Sequence, residues 1–361
     1  MTQFTQRETT MSAAKFTPIS RLGEFKLIEK LVDGVSVNKK LTKLGIGDDA
    51  AVIPYLENRD YVISTDMLVE GVHFDSTYTP LKHLGYKSIV VSVSDICAMN
   101  GRATHALVSI AVPNKYSVEH IGLLYEGIKT ACGNYGIDLI GGDTTSSSTG
   151  LVVSVTIIGE VESRNVTYRA GAKPNELLFV SGDLGAAYVG LQILEREKYI
   201  FDKNTNAQPE LGRYEYILER QLRPEARIDI VDRFNKNQVL PSSMIDISDG
   251  LSSDAVHICN SSRVGVKIFE EKIPIAEATI KTANELNINP TICALHGGED
   301  YELLFTAPIS LREKIESFDG VRAIGHITSK SEEVSLITTQ GDVIDMASDG
   351  WDSFVKNKKH I

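Results

Sequence analysis

Cysteine is scarce and scattered: Cys97, Cys132, Cys259 and Cys293 are the four among 361 residues. No C-x-x-C pair and no histidine stands at zinc-site spacing, which argues against a zinc module or a disulfide framework. The thiols read as reduced, mostly buried residues of a cytoplasmic protein. No apolar run approaches the ~18–20 residues of a membrane span. The first 20 residues, polar and rich in Thr and Ser, lack the apolar stretch of a secretory signal; residues 1–20 read as a disordered extension. Basic residues are the minority, with Lys and Arg totalling 37 against 48 Asp and Glu, a formal charge of −11. That field repels nucleic-acid backbones and anionic lipid, so neither is an expected partner. It also repels polyanionic small molecules, unless metal ions intervene. The G-x-x-x-x-G-K-[ST] P-loop, the HRD and DFG elements of protein kinases, the D-x-D-x-D-G calcium loop and HExxH are all missing.

What remains is ordinary globular composition, 42% hydrophobic and 24% charged. The length suggests two domains at roughly 100–200 residues each and allows a substantial core without disulfides. Residues 21–34 pattern as a short helix and 50–54 and 60–65 as strands. Thr79-Pro80 signals a helix start, and the pattern from Leu81 to Asn100 is helical, closed by Gly101. Residues 104–112 alternate as a strand, and Ser117 caps a helix to about Gly133. Strands follow at 137–140, 151–160 and Leu177–Val180, then a helix from Leu184 to about Glu195. The polar segment 197–212 reads as a surface loop. The expectation is a two-domain α/β (α+β) protein: an N-terminal α/β domain over 21–165, and a C-terminal α/β domain over 166–361.

The placement of acids is the unusual feature. Several lie among glycines and apolar residues at the ends of predicted strands: Gly47-Asp48-Asp49, Ser64-Thr65-Asp66, Gly141-Gly142-Asp143, Asp246-Ile247-Ser248-Asp249-Gly250 and Gly298-Glu299-Asp300. Each alone fits an ordinary turn. Together they suggest hard oxygen ligands beside backbone that a ligand can approach closely. Asp95 adds to this, since near a helix C-terminus in an apolar neighbourhood an anion opposes the helix dipole. A bound cation would offset both costs. Magnesium with a polyphosphate suits this pattern best, because several Mg²⁺ ions would neutralise a nucleotide triphosphate in an acidic cleft.

Seven segments, GIGDDAAVI (45–53), STDMLVEGVHF (64–74), SVSDICAMNG (92–101), IGGDTT (140–145), YRAGAKP (168–174), IDISDGL (245–251) and GGEDYELLFT (297–306), occur in this order. In that set the chain resembles thiamine-monophosphate kinase, within the group that also holds aminoimidazole ribonucleotide synthetase and selenophosphate synthetase. The resemblance covers about residues 21–354. It implies transfer of the ATP γ-phosphoryl group onto thiamine monophosphate, giving thiamine diphosphate and ADP. It further implies a homodimer whose N-terminal sheets pair through residues 50–160. By motif position, Asp49, Asp66, Asp95, Asp143 and Asp246 would ligate Mg²⁺ with help from Ser64 and Thr65, and Asp249 would hold a further ion. Gly142, Asp143, Arg169 and Ser248 would contact ATP, and His73, Glu299 and Trp351 would face the thiamine phosphate. Read from the residues alone, plainer roles stay open. Asp48 competes with Asp49 as ligand, His73 fits a core histidine, Arg169 a turn cap, Trp351 a core edge, and Glu299 a salt bridge to a basic residue.

Overall fold

The computed structural model describes residues 42–204, 210–329 and 334–346. The extension at 1–20, the helix at 21–34 and Trp351 lie outside the described residues. Strands β1 (Ala51–Leu56), β2 (Arg59–Val69), β3 (Arg102–Pro113), β4 (Asp138–Ser147) and β5 (Val152–Glu162) form a sheet in the order β1-β2-β5-β3-β4. All its pairs are antiparallel except β3 with β4. Burial alternates along β5, so one face of the sheet is covered and the other is not. Helices α1 (Leu81–Ala98) and α2 (Val118–Tyr135) share a core with the covered face. On β2 the alternation leaves Thr65 and Met67 exposed, Met67 by 56%.

α1 is central. From Leu84 to Ala98 every residue except Asp95 is buried, as befits a helix that is apolar nearly all round. It crosses α2 backbone against backbone. A Cβ on Gly85 would lie 1.9 Å from the Leu124 carbonyl oxygen, and one on Gly127 would lie 1.9 Å from that of Lys82. The α1 start differs from expectation: Pro80 occupies the cap position itself, with no side-chain cap. Ser117 caps α2 as expected, in a reciprocal pair with His120. That helix runs through Gly133 and closes at Gly136, whose φ of 67° suits a left-handed cap.

The remaining α-helices among the described residues are α3 (Ala186–Lys203), α4 (Glu215–Leu222), α5 (Ile228–Asn237), α6 (Leu251–Ser262), α7 (Glu277–Glu285), α8 (Pro290–His296) and α9 (Arg312–Glu316). A second sheet has the order β12-β11-β8-β10-β6-β9-β7. Its strands are β6 (Leu177–Ser181), β7 (Ser243–Asp246), β8 (Gly265–Phe269), β9 (Leu303–Ala307), β10 (Val321–Thr328), β11 (Val334–Ile337) and β12 (Val343–Asp345). Residue 165, where the sequence suggested a division, falls between β5 and β6. One apolar core continues across it, joining α1, α2 and the first sheet to Phe179, Phe305 and Phe234. A second core, with Leu251, Ile258 and Leu295, lies among α6, α8 and the second sheet. The expected 197–212 loop is partly helical, because α3 continues to Lys203. Lys203 there lies over the Tyr199 ring one turn back, a contact that residue-by-residue polarity does not reveal.

Candidate active site

Three other segments bring carboxylates to Asp95 of α1. Asp95 is its one incompletely buried residue between Leu84 and Ala98. Asp49 sits just before β1, Asp66 is on β2, and Asp246 ends β7 at the edge of the second sheet. Carboxylate oxygens of Asp49, Asp95 and Asp246 all lie within 4.8 Å of one another. Hydroxyls hold three of the carboxylates, two from α1 and one from β2. Ser92 Oγ donates to Asp66 at 2.6 Å, Ser94 Oγ donates to Asp246 at 2.7 Å, and Ser64 Oγ of β2 donates to Asp95. The two α1 serines were not among the expected site residues. The signal for them was present: hydroxyls in the otherwise apolar run Ser92-Val93-Ser94-Asp95 have no reason to be buried without partners.

The electrostatics are those of anions held together against their repulsion. Burial, then the Asp66, Asp246 and Asp49 charges, pushes the Asp95 carboxyl well above its ordinary range. Burial and the Asp49 charge raise Asp246 to about 7, and burial raises Asp66. The compensating cation is Arg169, whose Nη2 and Nε donate to the two Asp49 oxygens at 2.7 and 3.0 Å. Asp48 turns elsewhere, accepting from the backbone N–H of Arg169 at 3.2 Å and of Asp49 at 3.0 Å. Of the adjacent pair, Asp49 is therefore the one that points into the cluster. Three converging carboxylates with no thiol or imidazole among them form an oxygen donor set for a hard divalent cation, and Mg²⁺ fits it.

Asp249 is half-buried just before α6, next to Ser248. With Asp246, its charge helps burial push Asp254 of α6 up, a buried carboxylate that the sequence reading passed over. Asp143 is apart. It lies exposed on edge strand β4 with its Oδ1 accepting from the Thr144 N–H. Registers place Asp66, Val155, Val108 and Gly142 in one row across β2, β5, β3 and β4. Three strand spacings make that row roughly 14 Å long. Asp143 is one residue beyond it and alternates to the uncovered face, as does Thr65, whose Oγ1 lies 3.0 Å from Thr156 Oγ1. Gly142 has no room for a side chain, since a Cβ would lie 1.8 Å from the Val108 carbonyl oxygen. His73 is half-buried in the turn after β2, and its Nδ1 accepts from the Val69 N–H at 3.0 Å. Glu299 pairs with buried Lys87 at 2.9 Å, a salt bridge to a basic residue that its sequence context allows.

A family model described as AIR synthase related protein, N-terminal domain, matches residues 47–161. The thiamine-monophosphate kinase of Bacillus subtilis is 33% identical over 338 residues, covering 92% of this chain and all of that protein. That of Aquifex aeolicus is 35% identical, over 93% of this chain and 99% of its own length. A solved structure described as AaThiL complexed with AMPPCP and TMP superposes with a TM-score of 0.79 and 32% identity, over 94% of this chain and 99% of that one. Likeness at this level, over almost the whole of both partners, makes the chain a member of the thiamine-monophosphate kinase family of enzymes.

Proposed function

We propose that the protein transfers the γ-phosphoryl group of ATP directly to the phosphate of thiamine monophosphate, yielding thiamine diphosphate and ADP. The observation that carries this reading is the convergence of Asp49, Asp95 and Asp246 within 4.8 Å, each from a different segment of the chain. Two phosphorylated reactants must meet there, and a cluster of carboxylates admits them as metal complexes. Asp49, Asp66, Asp95 and Asp246 would hold Mg²⁺, with Asp249 holding a further ion, and the bound ions would neutralise charge on the phosphate oxygens.

The chain's own contribution is positioning. Ser64, Ser92 and Ser94 hold the carboxylates in register, and Arg169 is the fixed cation for the nucleotide phosphates, alongside Gly142 and Ser248. His73 and Glu299 face the acceptor. A phosphate monoester is largely ionised at neutral pH, so the acceptor needs little general base, and no covalent nucleophile is required. Within one copy, Asp143 is too far from Asp66 to share an ion with it. A homodimer formed through the uncovered face of the first sheet, where Thr65, Met67 and Asp143 lie exposed, brings a second copy to that side.

The test is ADP release from MgATP with thiamine monophosphate, with thiamine, and with no acceptor. Release that requires thiamine monophosphate and matches thiamine diphosphate formed is the expected result. ATP binding without release under any acceptor would overturn the kinase reaction and leave a nucleotide-binding protein. Retention of configuration at a chiral γ-phosphorus would overturn direct transfer.

A further inference from the structure

Two turns before Asp95 on α1, Lys87 carries an ammonium into the interior, with only 5% of its side chain exposed. A buried ammonium is costly unless paired, and its partners here are specific. Its Nζ stands 2.9 Å from Glu299 Oε1 and donates to the Gln221 carbonyl oxygen at 3.0 Å. Gln221, on α4, donates its own side-chain N–H to Glu299 Oε2 at 2.8 Å. Each oxygen of Glu299 is thus held by a donor from a different helix. The backbone is held as well. Glu299 has φ 59° and Tyr301 φ 52°, left-handed values uncommon outside glycine. Their N–H groups donate to the carbonyl oxygens of Ser248 and Ile247, both at 2.8 Å. The Glu299 loop is therefore fastened to the segment that follows Asp246, while 29% of the Glu299 side chain stays open.

We propose that Lys87 is a positioning residue for recognition of the phosphate acceptor. With Gln221 it fixes the Glu299 carboxylate at the ring end of thiamine monophosphate, while Asp95 on the same helix marks the phosphate end. Eight residues of α1 separate the two, about 12 Å along its axis. A carboxylate oxygen that accepts one hydrogen bond keeps lone-pair capacity for another. Glu299 so held still offers an anionic acceptor to the thiazolium charge or the pyrimidine amino group. This inference rests on the reading of Glu299 as facing the acceptor.

The test compares steady-state kinetics of Lys87→Met, Gln221→Met, Glu299→Gln and the Lys87→Met/Glu299→Gln pair. Lys87→Met and Glu299→Gln should each raise KM for thiamine monophosphate about tenfold, the loss of one charge-assisted hydrogen bond. KM for ATP should stay within about twofold, and the double variant should be no worse than the poorer single one. Gln221→Met leaves the Lys87 ammonium paired with Glu299. It should show a smaller rise of the same kind, and it carries the test if Lys87→Met does not fold. An equal rise in KM for ATP, an unchanged KM for the acceptor, or additive effects in the double variant would overturn the positioning role while the wild type still made thiamine diphosphate. A wild type that made none would overturn the functional reading and this inference with it.

Discussion

Asp95 and Asp246 are held where their own charges are unwelcome, and that cost makes them testable one at a time. Asp246 has an ordinary value of 3.8 and is raised to about 7 by burial and by Asp49. Its contribution to stability is full below pH ~4 and is lost as pH rises to about 7. Chelated protein should therefore gain from this group on acidification from pH 8 to 5.5, and Mg²⁺ should stabilise it more at pH 8, where ligands need not shed protons. Thermal melts in EDTA and in Mg²⁺ at the two pH values check this; Mg²⁺ stabilisation equal at both would contradict it. At pH 8, where repulsion among these carboxylates is greatest, Asp95→Asn should raise the melting temperature in EDTA and abolish the rise that Mg²⁺ gives. The same variant should lose at least ~100-fold in kcat, as expected when transition-state charge loses its fixed counterpart. A less stable Asp95→Asn with Mg²⁺ stabilisation intact would place the ion elsewhere.

Among the elements, α1 does most to assemble the site, and its crossing with α2 sets where it lies. Gly127→Ala places a Cβ at 1.9 Å from the Lys82 carbonyl oxygen. Backbone cannot yield there as a side-chain tip would, so a cost of about 1–3 kcal/mol is expected, with lower activity as α1 shifts. Gly133→Ala in the same helix meets nothing within 4 Å and should be neutral or stabilising by up to ~1 kcal/mol. Urea denaturation of the two variants checks the contrast.

These elements also show what the sequence could reveal. The mostly apolar pattern of α1, the Ser117 cap and the alternation of β5 carry their own signals, and the acidic motifs stand out as departures from them, though Asp66 and Asp143 lie within β2 and β4 and not at strand ends. The strand pattern in the sequence stops at residue 140, yet β4 runs to Ser147. Its Gly, Thr and Ser residues have little strand signal of their own; pairing with β3 makes them a strand. The Lys87–Glu299 pair joins residues more than two hundred positions apart, and no local pattern encodes it. The choice between Asp48 and Asp49 likewise depended on where Arg169, distant in sequence, presents its N–H groups.

For the whole molecule, a net charge of −11 opposes the approach of two anionic reactants, and on the proposed reading cations mediate their meeting. The uncovered face of the first sheet bears on assembly. If it is the dimer surface, light scattering should give twice the chain mass, and Met67→Lys should shift the protein toward monomer without unfolding it, since Met67 is exposed in one copy. A wild-type monomer at micromolar concentration would remove the dimer from this account.

The most direct test of the central claim follows the reaction by phosphorus NMR in the wild type and Asp95→Asn, with ATP and thiamine monophosphate, in Mg²⁺ and then in EDTA. The account predicts thiamine diphosphate and ADP in equal amounts from the wild type, none after chelation, and almost none from Asp95→Asn in Mg²⁺. Undiminished thiamine diphosphate from Asp95→Asn, or from the wild type in EDTA, would contradict it.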